Sequence, residues 1–327
     1  MKIAFYDTKP YDRIWFEPLA AEYGYKIKFF DYKLHVDTAP LSAGYDVVCA
    51  FVNDIISDEV IDILHKNKIG LLAMRCAGYN NVDIKAAEGK IRVVRVPSYS
   101  PAAVAEHAAA LLLSVNRKTY RAYIRTRDNN FSINGLMGID LKEKAVGIIG
   151  TGKIGQVFAD IAHGFRMRVL AYDPYPAQGL DVEYTTLDDL IARSDVISLH
   201  CPLTKDTHHI INNETIEKMK DGVILINTSR GALVNTDALL EGLKSKKIGG
   251  AGLDVYEEES DYFFEDLSND IIPDDDLARL LSFPNVLITS HQAFFTREAM
   301  QAIAIVTMEN IHTFETGGAL DNEVVAH

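Results

Sequence analysis

The sequence predicts an α/β protein of two layered domains with parallel strands, on three observations. Short apolar runs alternate with helix-like stretches from Lys2 to Val96, and a second alternation runs from Lys144 to about Ser290. A glycine cluster, GIIGTGKIGQ from Gly147 to Gln156, stands at the start of the second alternation. A chain of 327 residues is also long enough for two sizeable cores.

In the first alternation KIAFYD, YKIKFFD, DVVCAFV, GLLAMR and IRVVRV read as strands. SDEVIDILHKNK places Val60, Ile61 and Leu64 on one helix face behind Ser57 as N-cap. The stretch SPAAVAEHAAALLLSVNRKTYRAYIRTR follows, with Pro101 at a first helical position behind Ser100 and no breaker through its alanines and leucines. A helix that long and apolar is expected to be buried between domains or subunits. The second alternation supplies AVGIIG, RVLAYD, DVISLH, VILINT, IGGAGLDV and NVLITS as strands, separated by helical segments. TREAMQAIAIVTMENIHTFETG closes the chain as an amphipathic helix.

The glycine cluster has a chemical reading. AVGIIG runs into Gly150, Gly152 and Gly155 and then into a helix, the order of a dinucleotide-binding βαβ unit of the Rossmann type. Gly150 suits the tight turn, Gly152 a close approach of backbone to a pyrophosphate, and Gly155 close helix–sheet packing. Phosphates then meet N–H groups at a helix N-terminus. The next strand, RVLAYD, ends in Asp173, 18 positions past Gly155, where a carboxylate meets the adenosine ribose. Asp173 repels a 2′-phosphate, and Pro174, Tyr175 and Pro176 supply no arginine for one, so NAD is expected rather than NADP. A tight turn followed by a solvated strand-end acid is the plainer alternative.

Composition excludes several other classes. The formal charge of −13, from 33 basic and 46 acidic residues, argues against nucleic acid or an anionic membrane surface as partner. No apolar run approaches the ~20 residues that span a bilayer, and MKIAFYDTKPYDR breaks into charge after one short strand-like segment, so neither a signal peptide nor an anchor is expected. Cys49, Cys76 and Cys201 are too few and too scattered for a disulfide framework or a zinc ribbon. A cytoplasmic enzyme without a metal site is expected.

Polar groups collect where the later strands of the second domain end. INTSRG closes one strand with Ser229 and Arg230, AGLDVYEEE closes another with Asp254 and then Glu257, Glu258 and Glu259, and SHQAFF sets His291 behind a third. Open parallel sheets bind ligands at such ends. Hydride transfer between a nicotinamide and a 2-oxo acid needs a cation for the carboxylate and an acid for the ketone oxygen. Arginine and histidine supply these, with a carboxylate to orient the imidazole. Taken singly, Arg230 also suits a salt bridge and His291 a surface position. His208 and His209 compete with His291, His107 within AVAEHAAA reads as a helix-packing group, and spacing does not select among the three glutamates.

The glycine loop, CPLT at Cys201–Thr204, NTSRG, GLDVYE and SHQAF together resemble the NAD-dependent D-2-hydroxyacid dehydrogenases. RCAGYNNVD, VPSYSPAAVAEH, NRKTYRAYIRTRDNNFS and ESDYFFEDLSNDIIPDDDLARLLSFPNVLITSHQAF bring the likeness nearest to that family's fermentative D-lactate-forming members, over nearly the whole chain. The resemblance implies Arg230 as the carboxylate-binding arginine, Glu259 as partner of the histidine, and His291 as proton donor to the keto oxygen. It implies substrate contacts from the backbone of Ala77 and Gly78 and from Tyr99 and Phe294. For NADH it implies Lys153, Ile154, Pro202, Thr207, Thr228, Ser229, Arg230 and Asp254 beside the three glycines and Asp173, with Thr207 standing where the family often has Asn. It implies two doubly wound domains: a flavodoxin-like substrate domain of residues 1–99 plus 297–327, and an inserted Rossmann domain of 100–296. Reduction of pyruvate to D-lactate is the implied reaction, in a homodimer or homotetramer. A bulkier 2-oxo acid such as 2-oxoisocaproate or phenylpyruvate is the alternative substrate, and a non-enzymatic NAD-sensing partner protein the alternative class.

Overall fold

The computed structural model describes every residue except Ser260, Asp261, Glu265 and His327. Its chain separates into two compact units, Met1–Ser100 with Phe295–His327, and Pro101–Phe294.

The first unit opens with β1 (Lys2–Phe5), α1 (Pro10–Glu22) and β2 (Lys26–Phe29), then β3 (Val47–Ala50), α2 (Asp58–Lys66), β4 (Leu71–Met74), α3 (Ile84–Ala87) and β5 (Arg92–Val94). All its strand pairs are parallel, in the order β2-β1-β3-β4-β5. The central strands VVCA and LLAM are buried along their whole length, whereas the edge strand KIKF alternates exposed and half-buried. A strand covered on both faces reads as one apolar run, and an edge strand does not. The Ser57 hydroxyl accepts from Val60 N–H at 3.4 Å and starts α2. Behind β4 the chain bends through Ala77 and Gly78, where Arg95 Nη1 donates to the Ala77 carbonyl at 3.0 Å.

The second unit begins with α4 (Pro101–Arg117) and α5 (Thr119–Arg127) and continues through β6 (Ala145–Ile149), α6 (Lys153–Gly164), β7 (Arg168–Tyr172), β8 (Glu183–Tyr184), α7 (Leu187–Arg193), β9 (Val196–Leu199) and α8 (Asn213–Lys218). It ends with β10 (Val223–Asn227), α9 (Thr236–Lys244), β11 (Ile248–Leu253), α10 (Asp275–Ser282) and β12 (Val286–Ile288). The seven parallel strands run in the order β12-β11-β10-β9-β6-β7-β8. β6 is therefore where successive strands switch direction across the sheet, and the crevice for a ligand lies there. Apolar clusters cover both faces, one built on α4 and α6, the other including Leu190, Leu239 and Leu280 from α7, α9 and α10.

Three features differ from the sequence expectation, the first being that the stretch read as one long helix breaks at Lys118, whose φ of +52° separates α4 from α5. The apolar face of α4 is not left over for a subunit boundary: Ala105, Ala108, Leu111, Leu112 and Val115 pack within the second unit, against its sheet and α6. Apolar content says that something must cover a helix, not what covers it. The two-residue strand β8 went unpredicted because so short an edge strand carries no periodicity. The chain closes with α11 (Arg297–Glu315), which belongs to the first unit and is capped by the Thr296 hydroxyl accepting from Ala299 N–H at 3.2 Å.

Candidate active site

The carboxyl ends of β6, β7, β9, β10, β11 and β12 carry the polar residues of the second unit. At β6, Gly150 has φ +98°, a backbone conformation that a side chain disfavours, and a Cβ there would sit 2.6 Å from the backbone of Cys201. A Cβ on Gly155 would lie 2.1 Å from the Gly150 carbonyl oxygen, so the helix packs on the strand only without one. A Cβ on Gly152 would meet nothing within 4 Å. The backbone there faces open space, at the N-cap of α6 ahead of the Lys153 and Ile154 N–H groups. That is a cradle for a pyrophosphate.

Asp173, at the end of β7, accepts from the N–H and the hydroxyl of Thr151 at 2.6 and 3.1 Å and from Tyr175 N–H at 2.8 Å. Its carboxylate therefore fixes the glycine loop to the next strand as well as standing at the expected position. Pro202 and Thr207 close a turn behind β9, the Thr207 hydroxyl donating to the Pro202 carbonyl at 2.7 Å. Behind β10, the Ser229 hydroxyl donates to the Cys201 carbonyl at 2.6 Å, while Thr228 Oγ1 is buried with no hydrogen-bond partner among the described residues. An orphaned buried hydroxyl beside the glycine loop's neighbour strand is a group awaiting a ligand. Together with the space over Gly152, it fits a dinucleotide.

Arg230 follows directly, its Nη1 donating to the Ser229 carbonyl at 2.6 Å. One edge of the guanidinium is thus steered by its own loop, and the remaining N–H groups suit a planar carboxylate. Gly231 brings this loop onto the next one: a Cβ would lie 2.1 Å from Tyr256 C and O and 2.4 Å from Glu257 N. The arginine loop and the glutamate segment touch backbone to backbone.

Glu259 and His291 meet, His291 Nδ1 lying 2.7 Å from Glu259 Oε1. A carboxylate only accepts, so Nδ1 carries a proton and Nε2 is the atom presented to a ligand. Glu259 Oε2 accepts from Tyr256 N–H at 2.8 Å, which holds the carboxylate in register. The imidazole is also held from behind, because His291 adopts φ +52° and its N–H donates to the Asp254 carbonyl at 2.7 Å. Phe264, within the acidic stretch that includes the undescribed Ser260, Asp261 and Glu265, sets its ring 5.9 Å from the imidazole.

Asp254 is fully buried and serves that same turn. It accepts from the Thr289 hydroxyl at 2.5 Å and from Gln292 and Ala293 N–H at 2.9 and 2.8 Å. Burial works against its ionisation, but His107, Thr289 and the Ala293 N–H outweigh it and hold the carboxyl below its ordinary range. His107 is not simply a packing group. Its Nε2 donates to Thr289 Oγ1 at 3.0 Å and lies 3.3 Å from Asp254 Oδ1. His209 likewise has its own acid, Glu257, at 2.6 Å. The histidines are thereby sorted: His291 with Glu259, His209 with Glu257, His107 with Asp254. Sequence reasoning missed the last two pairings, which join residues 48 or more positions apart; the polar step Glu106-His107 inside the apolar run AVAEHAAA was the one signal for His107.

A glycine loop shaped for a dinucleotide, a steered arginine and a carboxylate-held imidazole on one sheet define an NAD-binding oxidoreductase. Residues 109–293 match the family described as D-isomer specific 2-hydroxyacid dehydrogenase, NAD binding domain. The D-lactate dehydrogenase of Escherichia coli (strain K12) is 49% identical over 99% of this chain and 100% of its own. A 2-hydroxyacid dehydrogenase homolog of Haemophilus influenzae is 50% identical over 99% of each. A solved structure of the pyruvate reductase of Chlamydomonas reinhardtii superposes with a TM-score of 0.93, at 42% identity over 98% of each chain. The chain belongs to the D-isomer-specific 2-hydroxyacid dehydrogenases. The sequence expectation of that family, of its two-sheet α/β fold and of NAD as cofactor therefore holds. Among the described residues, no helix is long and apolar enough to cross a membrane.

Proposed function

We propose that this protein reduces pyruvate to D-lactate with NADH, and catalyses the reverse oxidation. The observation that carries the reading is the 2.7 Å contact of His291 Nδ1 with Glu259, residues that follow β12 and β11, the two strands beyond the one bearing Arg230. The similarity to a D-lactate dehydrogenase and a pyruvate reductase over almost the full length supports pyruvate as the substrate.

Arg230 grips the substrate carboxylate through paired N–H groups and fixes which face of the keto group is presented. Glu259 keeps the His291 Nδ1 proton in place, so Nε2 gives its proton to the keto oxygen as negative charge develops there. In the oxidative direction the same Nε2 takes the hydroxyl proton. The Gly150–Gly155 loop, Lys153 and Ile154 N–H, Asp173, Pro202, Thr207, Thr228 and Ser229 hold the dinucleotide, which when bound supplies the hydride. Asp254 acts from behind, by fixing the turn that carries His291. By the family likeness, Ala77, Gly78, Tyr99 and Phe294 are assigned to the substrate. We assign residues 1–99 with 297–327 as the substrate domain and 100–296 as the cofactor domain.

A homo-oligomer is supported by exposed apolar side chains along residues 123–139, where Phe131, Ile133 and Met137 are 74, 82 and 88% exposed. Light scattering in solution tests it, and a monomer would remove it. A cytoplasmic location suits Cys49 and Cys201, which are buried as thiols. The activity itself is tested by following loss of NADH absorbance with pyruvate, 2-oxoisocaproate and phenylpyruvate. Pyruvate is expected to give the highest kcat/KM; a higher value with either bulkier acid would reassign the substrate.

A further inference from the structure

Outside the Glu259–His291 pair, one other place among the described residues of the second unit gathers metal-binding side chains. His208, His209 and Glu257 each bring one ligand atom within 4.8 Å of the other two. We propose that these three residues bind a zinc ion at the protein surface.

The geometry is set by the backbone. Consecutive side chains ordinarily diverge, but His209 has φ +51°, and its ring lies only 3.8 Å from that of His208, centroid to centroid. The turn that carries them is tied down, His209 N–H donating to the Ala232 carbonyl at 2.9 Å. Glu257 comes from the segment after β11 and faces His209, with Oε1 2.6 Å from Nε2. Its other oxygen accepts from the Thr236 hydroxyl at 3.0 Å, so the carboxylate is oriented by an outer partner as ligating carboxylates are.

Two imidazoles and a carboxylate are a borderline-soft donor set that suits zinc rather than calcium or magnesium. Tetrahedral zinc wants its ligand atoms roughly 3.4 Å apart, given bonds of about 2.0–2.1 Å. The spacing reaches that when the exposed His208 ring turns inward by up to about 1.4 Å from the 4.8 Å bound, and when His209 Nε2 and Glu257 Oε1, 2.6 Å apart around a proton, separate by about 0.8 Å to take the ion in its place. The His209 ring proton then moves to Nδ1, and the 3.4 Å approach of Asn235 Nδ2 to that atom is the contact given up. Because His208 is exposed, water completes the fourth position. A bound ion joins the turn after β9 to the segment that leads to Glu259, so it should raise thermal stability by mass action.

The test uses the full chain, stripped of metal and titrated with zinc chloride against a competing chromophoric chelator. One zinc per chain is expected at this site, with affinity reduced at least tenfold in His208→Ala and in Glu257→Gln. Thr236→Val, which removes only the outer partner, is expected to weaken binding by about 10- to 100-fold. Cobalt added in place of zinc should give the visible bands of a tetrahedral ion, and zinc should raise the unfolding temperature of the native chain but not of His208→Ala. Zinc binding unchanged in His208→Ala overturns the proposal, as does binding that disappears in His291→Ala, which would put the ion on the catalytic pair. No saturable zinc binding overturns it too. None of these readings depends on turnover, so the reaction assigned above stands or falls separately.

Discussion

Replacing Glu259 with Gln tests how the imidazole is prepared for proton transfer. The native carboxylate accepts twice, from His291 Nδ1–H at 2.7 Å and from Tyr256 N–H at 2.8 Å. An amide has one oxygen for those two donors, so one contact becomes donor against donor. If the oxygen stays on Tyr256, the NH2 group faces Nδ1 and the charged imidazole loses its partner. If the side chain flips, the Tyr256 N–H loses its own, and the segment that holds residue 259 loosens. A hydrogen bond to a charged group contributes about 1.5–3 kcal/mol. At 1.36 kcal/mol per decade, kcat for pyruvate reduction should fall roughly 10- to 150-fold. Stopped-flow measurement of single-turnover NADH oxidation isolates the chemical step, and fluorescence titration reports NADH binding, which is expected to be unchanged. A Glu259→Gln enzyme with native single-turnover rate would refute the claim that this carboxylate positions the proton donor.

Three further outcomes follow from the same geometry. Arg230→Lys should lower kcat/KM for pyruvate by at least tenfold, because an ammonium cannot reproduce the two parallel hydrogen bonds of the guanidinium; steady-state kinetics would show a native value if Arg230 does not grip the carboxylate. Gly231→Ala should destabilise the fold by about 1–3 kcal/mol or more and reduce turnover, since the added Cβ would fall 2.1 Å from the Tyr256 backbone. Denaturant unfolding with an unaltered midpoint would contradict the close packing of the two loops. His200 is half-buried beside Phe158 with its Nδ1 shielded from solvent, and loss of solvation pushes its pKa from the ordinary 6.5 down to about 3. The unfolded chain therefore takes up a proton below pH 6.5 that the folded chain refuses, and the resulting stability is lost as pH falls from 6.5 toward 3. Between pH 6.5 and 5 that amounts to about 2 kcal/mol. Burial lifts Asp54 to about 7, which acts in the opposite sense over this range. The His200 share is accordingly read as the difference between the native chain and His200→Gln, and parallel pH profiles for the two would disprove it.

Much of the fold was legible because buried parallel strands are continuous apolar runs, as in AVGII and VILIN, and because the glycine loop has a physical reason for each small residue. The surroundings of His291 were less so. Which glutamate meets which histidine depends on the neighbouring strand ends, and β10, β11 and β12 lie side by side only once the sheet has formed. Residue chemistry and spacing left three acids open, and the family likeness pointed to Glu259. The service of Asp254 to the His291 turn was hidden because its partners are mostly backbone N–H groups, which no residue type reveals. The apolar run of α4 gave the opposite problem: its burial was evident, but its partners within one unit were not.

The central claim, that a carboxylate-held His291 donates the proton in reduction of pyruvate by NADH, is tested most directly by comparing the native chain with His291→Ala. Chiral analysis of the product should find D-lactate equal to the NADH consumed by the native enzyme. His291→Ala should turn over about 10²- to 10⁴-fold more slowly while binding NADH as before. L-lactate as product, or a His291→Ala enzyme that reduces pyruvate at the native rate, would contradict the account.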